Sequence, residues 1–248
     1  MSDWLGLTGR RVLIAGGGGT IGSALTEGFV NAGAAVGVTD RSAELLAATH
    51  PGVTVREVAD LRDAGEARDV VRAVRDCLGG LDVFVHCVGV NDRRQIEDYA
   101  AADWARIIDV NLTSAFHTAT EAATGMRAAG FGRIVFFSSV AGRSGHKLHA
   151  PYAASKAALN QLMRVIAHEY AVHGVTANAV APGYMDTALT RDYLAANPAT
   201  RDGLLSLIPA GRFGRLDEVV GPVLFLASAH AGFITGQVLY IDGGRTIV

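Results

Sequence analysis

Short apolar runs rich in β-branched residues alternate with helix-patterned segments along almost the whole chain. The runs expected as strands are Arg11–Ala15, Ala34–Thr39, Val53–Val58, Leu81–Val88, Arg133–Ser138, Thr176–Ala181 and Gln237–Ile241. Helices are expected near Ile21–Asn31, Ala64–Leu78, Ala102–Ala128, Ala153–His173 and Asp217–Ser228. A strand that is apolar on successive residues is buried on both faces, the condition of a parallel sheet covered by helices. The alternation therefore predicts an α/β fold with a doubly wound parallel sheet of about seven strands and helices on both faces. Ligands of such sheets bind beyond the carboxyl ends of the strands. No repeat, low-complexity tract or linker interrupts the pattern, so residues 1–248 are expected to form a single domain.

The first strand runs directly into Gly16-Gly17-Gly18-Gly19-Thr20-Ile21-Gly22 and then an apolar helix. Small residues let this backbone turn sharply and approach a pyrophosphate, which the helix N-terminus stabilises through free N–H groups and its dipole. A phosphate-binding P-loop would need a lysine after Gly22, where Ser23 stands. The placement after the first strand points instead to a Rossmann-type dinucleotide site. Asp40 closes the second expected strand. A carboxylate there accepts from a ribose diol and repels a 2′-phosphate, favouring NAD over NADP, while the adjacent Arg41 softens the discrimination. Asp60 is a candidate acceptor for the adenine amine, or equally a cap.

Tyr152 and Lys156 stand four residues apart in Tyr-Ala-Ala-Ser-Lys, on one face of an expected helix. A free tyrosine has a pKa of about 10, so bringing it to about 7 requires roughly 4 kcal/mol of differential stabilisation. An ammonium about 4 Å away in a partly screened site supplies an effect of that order. The pair is thus a candidate general acid/base for alcohol–carbonyl chemistry.

Taken in order, these motifs resemble the short-chain dehydrogenase/reductase family, of the compact single-domain type, over essentially the whole length. The glycine-rich turn is followed by Asp60-Leu61, His86-Cys87-Val88-Gly89, Asn111 within Asp-Val-Asn-Leu, and Ser139 within Phe-Phe-Ser-Ser-Val-Ala-Gly. The Tyr152/Lys156 pair, Pro182-Gly183 with Thr187, and Gly236-Gln237-Val238-Leu239-Tyr240-Ile241-Asp242-Gly243-Gly244 complete the set. The resemblance implies a catalytic group of Asn111, Ser139, Tyr152 and Lys156. Tyr152 would be the acid/base, and Lys156 would lower its pKa and bond the nicotinamide ribose. Ser139 would hold the substrate oxygen, and Asn111 would keep a water in a proton relay. It also implies a dinucleotide site formed by Gly16, Gly18, Gly19, Thr20, Ile21, Gly22, Asp40, Arg41, Asp60, Leu61, Cys87, Gly89, Pro182, Gly183, Met185 and Thr187, together with Tyr152 and Lys156. Two departures stand out. Thr20 replaces the middle glycine of the usual turn, and His86-Cys87-Val88-Gly89 replaces Asn-Asn-Ala-Gly, with an expected loss of hydrogen bonds supporting the central strands.

The expected activity is NAD(H)-dependent interconversion of a secondary alcohol and a ketone on a small polar substrate, with polyols and sugar acids foremost. A 3-oxoacyl thioester reductase, which would ordinarily prefer NADPH, and a non-catalytic dinucleotide-binding regulator are the alternatives. The formal charge of −2 gives no reason to expect nucleic acid or an acidic membrane as partner. Cys77 and Cys87 make neither a disulfide framework nor a metal site, and no metal is expected. No apolar stretch is long enough to span a bilayer and the N-terminus lacks signal-peptide character, so the cytoplasm is the expected location. His168 and His173 diverge by about 140° on a helix, unlike the histidines of a zinc-protease motif. His146 and His149 precede Tyr152 without companion ligands. Arg93, Arg94, Arg143 and Lys147 are expected to rim the pocket; two converging could hold a carboxylate or phosphate. The segment Thr187–Pro209 is expected to be a flap over the pocket, an inert excursion being the other reading. The apolar face of Ala153–His173 exceeds one sheet-facing stripe, which predicts association, and the resemblance implies a homotetramer or dimer.

Overall fold

The structure is a computed structural model and describes residues 3–187 and 197–248. Its sheet contains β1 (Arg11–Ala15), β2 (Ala35–Asp40), β3 (Val55–Val58), β4 (Val83–His86), β5 (Gly132–Phe137), β6 (Val175–Pro182) and β7 (Val238–Ile241). All neighbours are parallel, in the order β3-β2-β1-β4-β5-β6-β7. The helices are α1 (Thr20–Asn31), α2 (Ala43–Ala47), α3 (Ala64–Leu78), α4 (Ala101–Ile108), α5 (Ser114–Ala129), α6 (Ala150–Tyr170), α7 (Pro198–Leu205) and α8 (Asp217–Ala227).

Alternate residues of each central strand feed two cores, which is why the strands are apolar without a polar face. Leu13, Phe84, Ile134 and Phe136 pack under α3, α5 and α6 with Val74, Ala119 and Met163. Val12, Ile14, Val85 and Val135 pack on the opposite face with Leu25 and Phe29 of α1 and Val223 of α8. The expected doubly wound fold is therefore present, with helices on both faces. Among the exposed large apolar side chains are Val165 on α6, Phe116 on α5 and Trp104 on α4, an apolar surplus these helices do not spend on the sheet. No helix among the described residues is long and apolar enough to cross a membrane.

Two local features depart from the expected pattern. The helix expected over Ala102–Ala128 is divided by a π-helical turn at Asp109–Thr113, where the backbone carries one residue more per turn. The five-residue α2 is too short to register as a periodic segment. The expected strand Leu81–Val88 is paired only over Val83–His86, and the residues after His86 leave the sheet to form the crevice wall.

Strand order reverses at β1, whose neighbours β2 and β4 lead to opposite edges. A crevice opens there, and the glycine-rich turn lies across it. Gly16 has φ +81°, a conformation that favours glycine, and its amide bonds Thr39 O at 2.8 Å. A Cβ at Gly22 would lie 2.0 Å from Gly16 O, so α1 can start this close to the turn only without a side chain there. Gly19 has ordinary space, with its nearest contact at 3.5 Å. Gly22→Ala should thus destabilise the fold by roughly 1–3 kcal/mol through forced backbone displacement, lowering the melting temperature by several degrees. Gly19→Ala should leave it nearly unchanged; equal melting temperatures for the two variants would contradict this packing.

Candidate active site

β5 ends at Phe137, and the chain continues extended through Ser139. The Ser139 hydroxyl accepts the Ala141 amide at 3.1 Å, which starts a tight turn and points the residue into the crevice. Pro151 sits in the first turn of α6, where its missing N–H costs nothing, and Tyr152 follows it. Lys156 lies one turn further along the same face. Ser139, Tyr152 and Lys156 line one cavity of about 600 Å³, with Ile21, Cys87, Gly89, Pro182, Gly183, Met185 and Thr187 also on its wall. A second cavity of about 210 Å³ is lined by Gly16, Gly19, Asp40, Arg41, Asp60 and Leu61. Cys87, Gly89 and Val90 belong to both walls, so the two form one trough along the carboxyl ends of the strands.

Lys156 is 3% exposed, and its ammonium donates to Phe137 O at 2.8 Å. Burial lowers its pKa to about 8. Its Nζ is 5.7 Å from the centre of the Tyr152 ring. Burial raises the Tyr152 pKa, while the Ser139 hydroxyl and the Arg93 charge pull it back only in part. The expected acidification of Tyr152 by Lys156 is therefore corrected for the free cleft. The ammonium is directed at a main-chain carbonyl, and desolvation of the phenol outweighs the groups that favour its anion. The two side chains nevertheless face the same space.

Asn111 occupies the π-helical turn and is fully buried. Its amide donates to Val90 O at 2.9 Å and Ser155 Oγ at 3.0 Å, and its oxygen accepts the Val90 amide at 2.7 Å. This clamps the loop after β4 to α6 next to Lys156. Both amide N–H groups are committed, so a water held by this residue is bound through oxygen.

The hydrogen bonds expected to be lost at His86-Cys87 are rebuilt. His86 is fully buried, with Nε2 3.3 Å from Ser114 Oγ and Nδ1 3.3 Å from Thr118 Oγ1, joining β4 to α5. Burial pushes its pKa down to about 3, with the Lys156 charge adding to the effect. Cys87 Sγ donates to Ala15 O at 3.0 Å, and burial pushes this thiol up to about 12.

At the other end of the trough, Asp40 accepts the Gly18 amide at 3.3 Å and the Ser42 amide at 3.2 Å. A Cβ at Gly18 would meet Asp40 Oδ2 at 3.1 Å and Leu45 Cβ at 2.7 Å, so the turn can lie against this carboxylate only as glycine. Asp60 is engaged by Arg62, whose Nε lies 2.9 Å from Oδ1, and this pairing lowers its pKa. Thr20 is exposed as the first residue of α1, outside the packed turn. Gly22 supports the turn from beneath. A narrow glycine cradle at a helix N-terminus, a carboxylate at the end of β2 and a buried ammonium with one partner among the described residues fit a dinucleotide.

Of the residues expected at the rim, Arg93 lines the cavity. Arg94 is instead neutralised by Asp92 and Asp103, each at 2.7 Å. Arg143 stacks on Tyr240 at 5.3 Å, beside a separate surface depression, and Lys147 is exposed outside the cavity wall. Residues 188–196 of the expected flap lie outside the described residues; Leu204 of α7 does line the cavity. His146, His149 and Tyr184 are wall residues to which no site role was assigned from the sequence. The proximity of both histidines to Tyr152 along the chain was the available signal.

Residues 17–246 match the protein family described as Enoyl-(Acyl carrier protein) reductase. Gluconate 5-dehydrogenase of Gluconobacter oxydans (strain 621H) is 33% identical over 251 residues, covering 99% of this chain and 98% of that one. The 3-oxoacyl-[acyl-carrier-protein] reductase MabA of Mycobacterium tuberculosis (strain ATCC 25618 / H37Rv) is 37% identical over 235 residues, covering 95% of this chain and 92% of that one. The crystal structure of a gluconate 5-dehydrogenase from Burkholderia cenocepacia J2315, in complex with NADP and tartrate, superposes with a TM-score of 0.93 at 35% identity, covering 99% and 98% of the two chains.

The buried His86 has a pH signature. Between pH 6.5 and about 3 the unfolded chain takes up this proton and the folded chain does not. Stability therefore falls as pH falls through that window, by up to about 1.4 kcal/mol per pH unit from this group. In denaturant titrations from pH 7 to 4, His86→Asn should lose stability less steeply than the parent. Equal slopes would show that the imidazole protonates freely in place.

Proposed function

The chain belongs to the short-chain dehydrogenase/reductase family of nicotinamide-dependent oxidoreductases, and on that premise we propose that it is an NAD(H)-dependent enzyme, acting as a homo-oligomer, that interconverts a secondary alcohol and a ketone on a small polar substrate. Polyols and sugar acids are the proposed substrate classes. The observation that carries this reading is the convergence of Ser139, Tyr152 and Lys156 on one cavity that continues into the glycine cradle.

In this reading the Gly16–Gly22 turn and the start of α1 hold the pyrophosphate. Asp40 accepts from the adenosine ribose, with Arg41, Asp60 and Leu61 around the adenine end. Cys87, Gly89, Pro182, Gly183, Met185 and Thr187 enclose the nicotinamide half, and Lys156 donates to its ribose. When bound, the nicotinamide supplies or accepts the hydride. The protein's own part is to move the proton. Ser139 holds the substrate oxygen, Tyr152 Oη gives a proton to it in reduction and takes one in oxidation, and the Lys156 charge favours the ionised phenol. Because burial holds the Tyr152 pKa up in the free cleft, the phenol is the resting form and acts directly as an acid. Oxidation requires the added charge and hydrogen bonds of the filled cleft.

The NAD preference rests on Asp40, although the Burkholderia cenocepacia relative holds NADP. Arg41 on the same wall is the group that would admit the 2′-phosphate. A second reading, a 3-oxoacyl thioester reductase, draws on the identity to MabA; Asp40 weighs against it because that chemistry ordinarily uses NADPH.

Following nicotinamide absorbance with polyols, hydroxy acids and hydroxyacyl thioesters, each with NAD and NADP, distinguishes these readings. Tyr152→Phe should lower kcat by about a hundredfold or more, the usual scale of acid/base catalysis, with the NADH dissociation constant nearly unchanged. Substantial residual turnover would refute its role. Asp40→Ala should reduce the NAD/NADP ratio of kcat/KM by roughly tenfold or more, the scale of a hydrogen bond to a charged group. An unchanged ratio would show that this carboxylate does not read the ribose.

A further inference from the structure

We propose that the outer end of the larger cavity is a seat for a carboxylate, built from Arg93, His146 and His149, so that the alcohol presented to Tyr152 belongs to a hydroxy acid. The inference rests on the oxidoreductase reading above and names the substrate class for that site.

Among the described residues on the wall of the larger cavity stand Arg93, His146, His149 and Lys156, and not one aspartate or glutamate. The neighbouring arginines show that this is not a general shortage of acids. Arg94 is paired with Asp92 and Asp103, and Arg106 with Asp92 at 3.3 Å. Arg93, between two aspartate-bearing stretches, pairs with no described residue. Its charge is felt at the Tyr152 phenol, which lines the same cavity.

The two histidines add polar rings to the same wall. His149 Nδ1 donates to Lys147 O at 2.6 Å, so its Nε2 donates only in the imidazolium form, and the ring stands edge-on to Tyr152 with centroids 6.0 Å apart. His146 packs against His149 at 5.9 Å, and its Nε2 is buried without a partner. Arg245 Nε, whose charge is felt at His146, is likewise buried with no hydrogen-bond partner among the described residues. The Asp242 carboxylate accepts the Gly244 amide and both the amide and hydroxyl of Thr246, and no hydrogen bond joins it to Arg245 Nε. Burial and the charges of His149 and Arg245 all disfavour protonation of His146 in the free protein. Arg93 and two imidazole rings thus stand on a wall with no carboxylate among its described residues. A substrate carboxylate supplies that counter-charge, accepts from the Arg93 guanidinium and favours protonation of His146 beside it.

The test measures binding calorimetrically on the full-length protein saturated with NAD, using pairs that differ in acid against alcohol: D-gluconate and D-glucitol, tartrate and threitol, 3-hydroxybutyrate and 1,3-butanediol. At least one acid should bind tenfold or more tightly than its neutral partner. Arg93→Gln should collapse that ratio, Arg93→Lys should keep part of it, and His146→Gln should reduce it. Arg93 is exposed at the cavity mouth, so its replacement leaves the core intact. No preference in any pair, or a ratio unchanged in Arg93→Gln, overturns the seat. Turnover of the same compounds separates the two readings. Oxidation without carboxylate preference removes the seat alone, whereas carboxylate preference without turnover of any pair supports the seat and counts against the redox reading.

Discussion

A lysine ammonium buried to 3% exposure, with a single main-chain carbonyl as its partner among the described residues, is the constraint around which the crevice is organised. An ammonium carries three N–H donors, and leaving donors unmet away from water is costly. A Cβ at Gly89 would lie 3.2 Å from Nζ, so glycine there keeps the group open to the trough. Asn111 ties the loop that carries Gly89 and Val90 to α6 through Ser155, which fixes the distance between that wall and the lysine. The site is thereby built to receive hydroxyl acceptors from a ligand.

The same burial sets the electrostatic state of the free cleft. Desolvation lowers Lys156 and raises Tyr152, so both are pushed towards neutrality before anything binds. His86 is kept neutral behind them and holds β4 to α5 without adding a second charge near the ammonium. A cleft in this condition avoids a standing pair of desolvated charges. It leaves the phenol as a ready acid and ties its ionisation to occupancy of the trough.

Most of the architecture was legible because buried parallel strands must be apolar on both faces, and runs such as Arg11–Ala15 and Arg133–Ser138 satisfy this with few competing patterns. The position of Ser139 at a strand end and of Tyr152 at the following helix start then brings them to one crevice. Three things were not legible. The π-helical turn around Asn111 leaves the apolar period nearly intact, so it reads as uninterrupted helix. The spacing of Tyr152 and Lys156 sets a one-turn separation but carries no information on desolvation, which decides the direction in which the phenol shifts. Arginines near the pocket in sequence divide by partners that only the fold brings together: Arg94 finds Asp103, Arg143 finds Tyr240, and Arg93 faces the cavity.

On the proposed function, the buried Lys156 ammonium, whose pKa burial lowers to about 8 in the free protein, is a principal donor to the dinucleotide. The dissociation constant of NADH, followed by fluorescence from pH 7 to pH 9.5, tests it directly. Binding that weakens progressively as pH rises past about 8, where the free protein loses this proton, is the expected result. A dissociation constant that stays flat across the range would contradict the account.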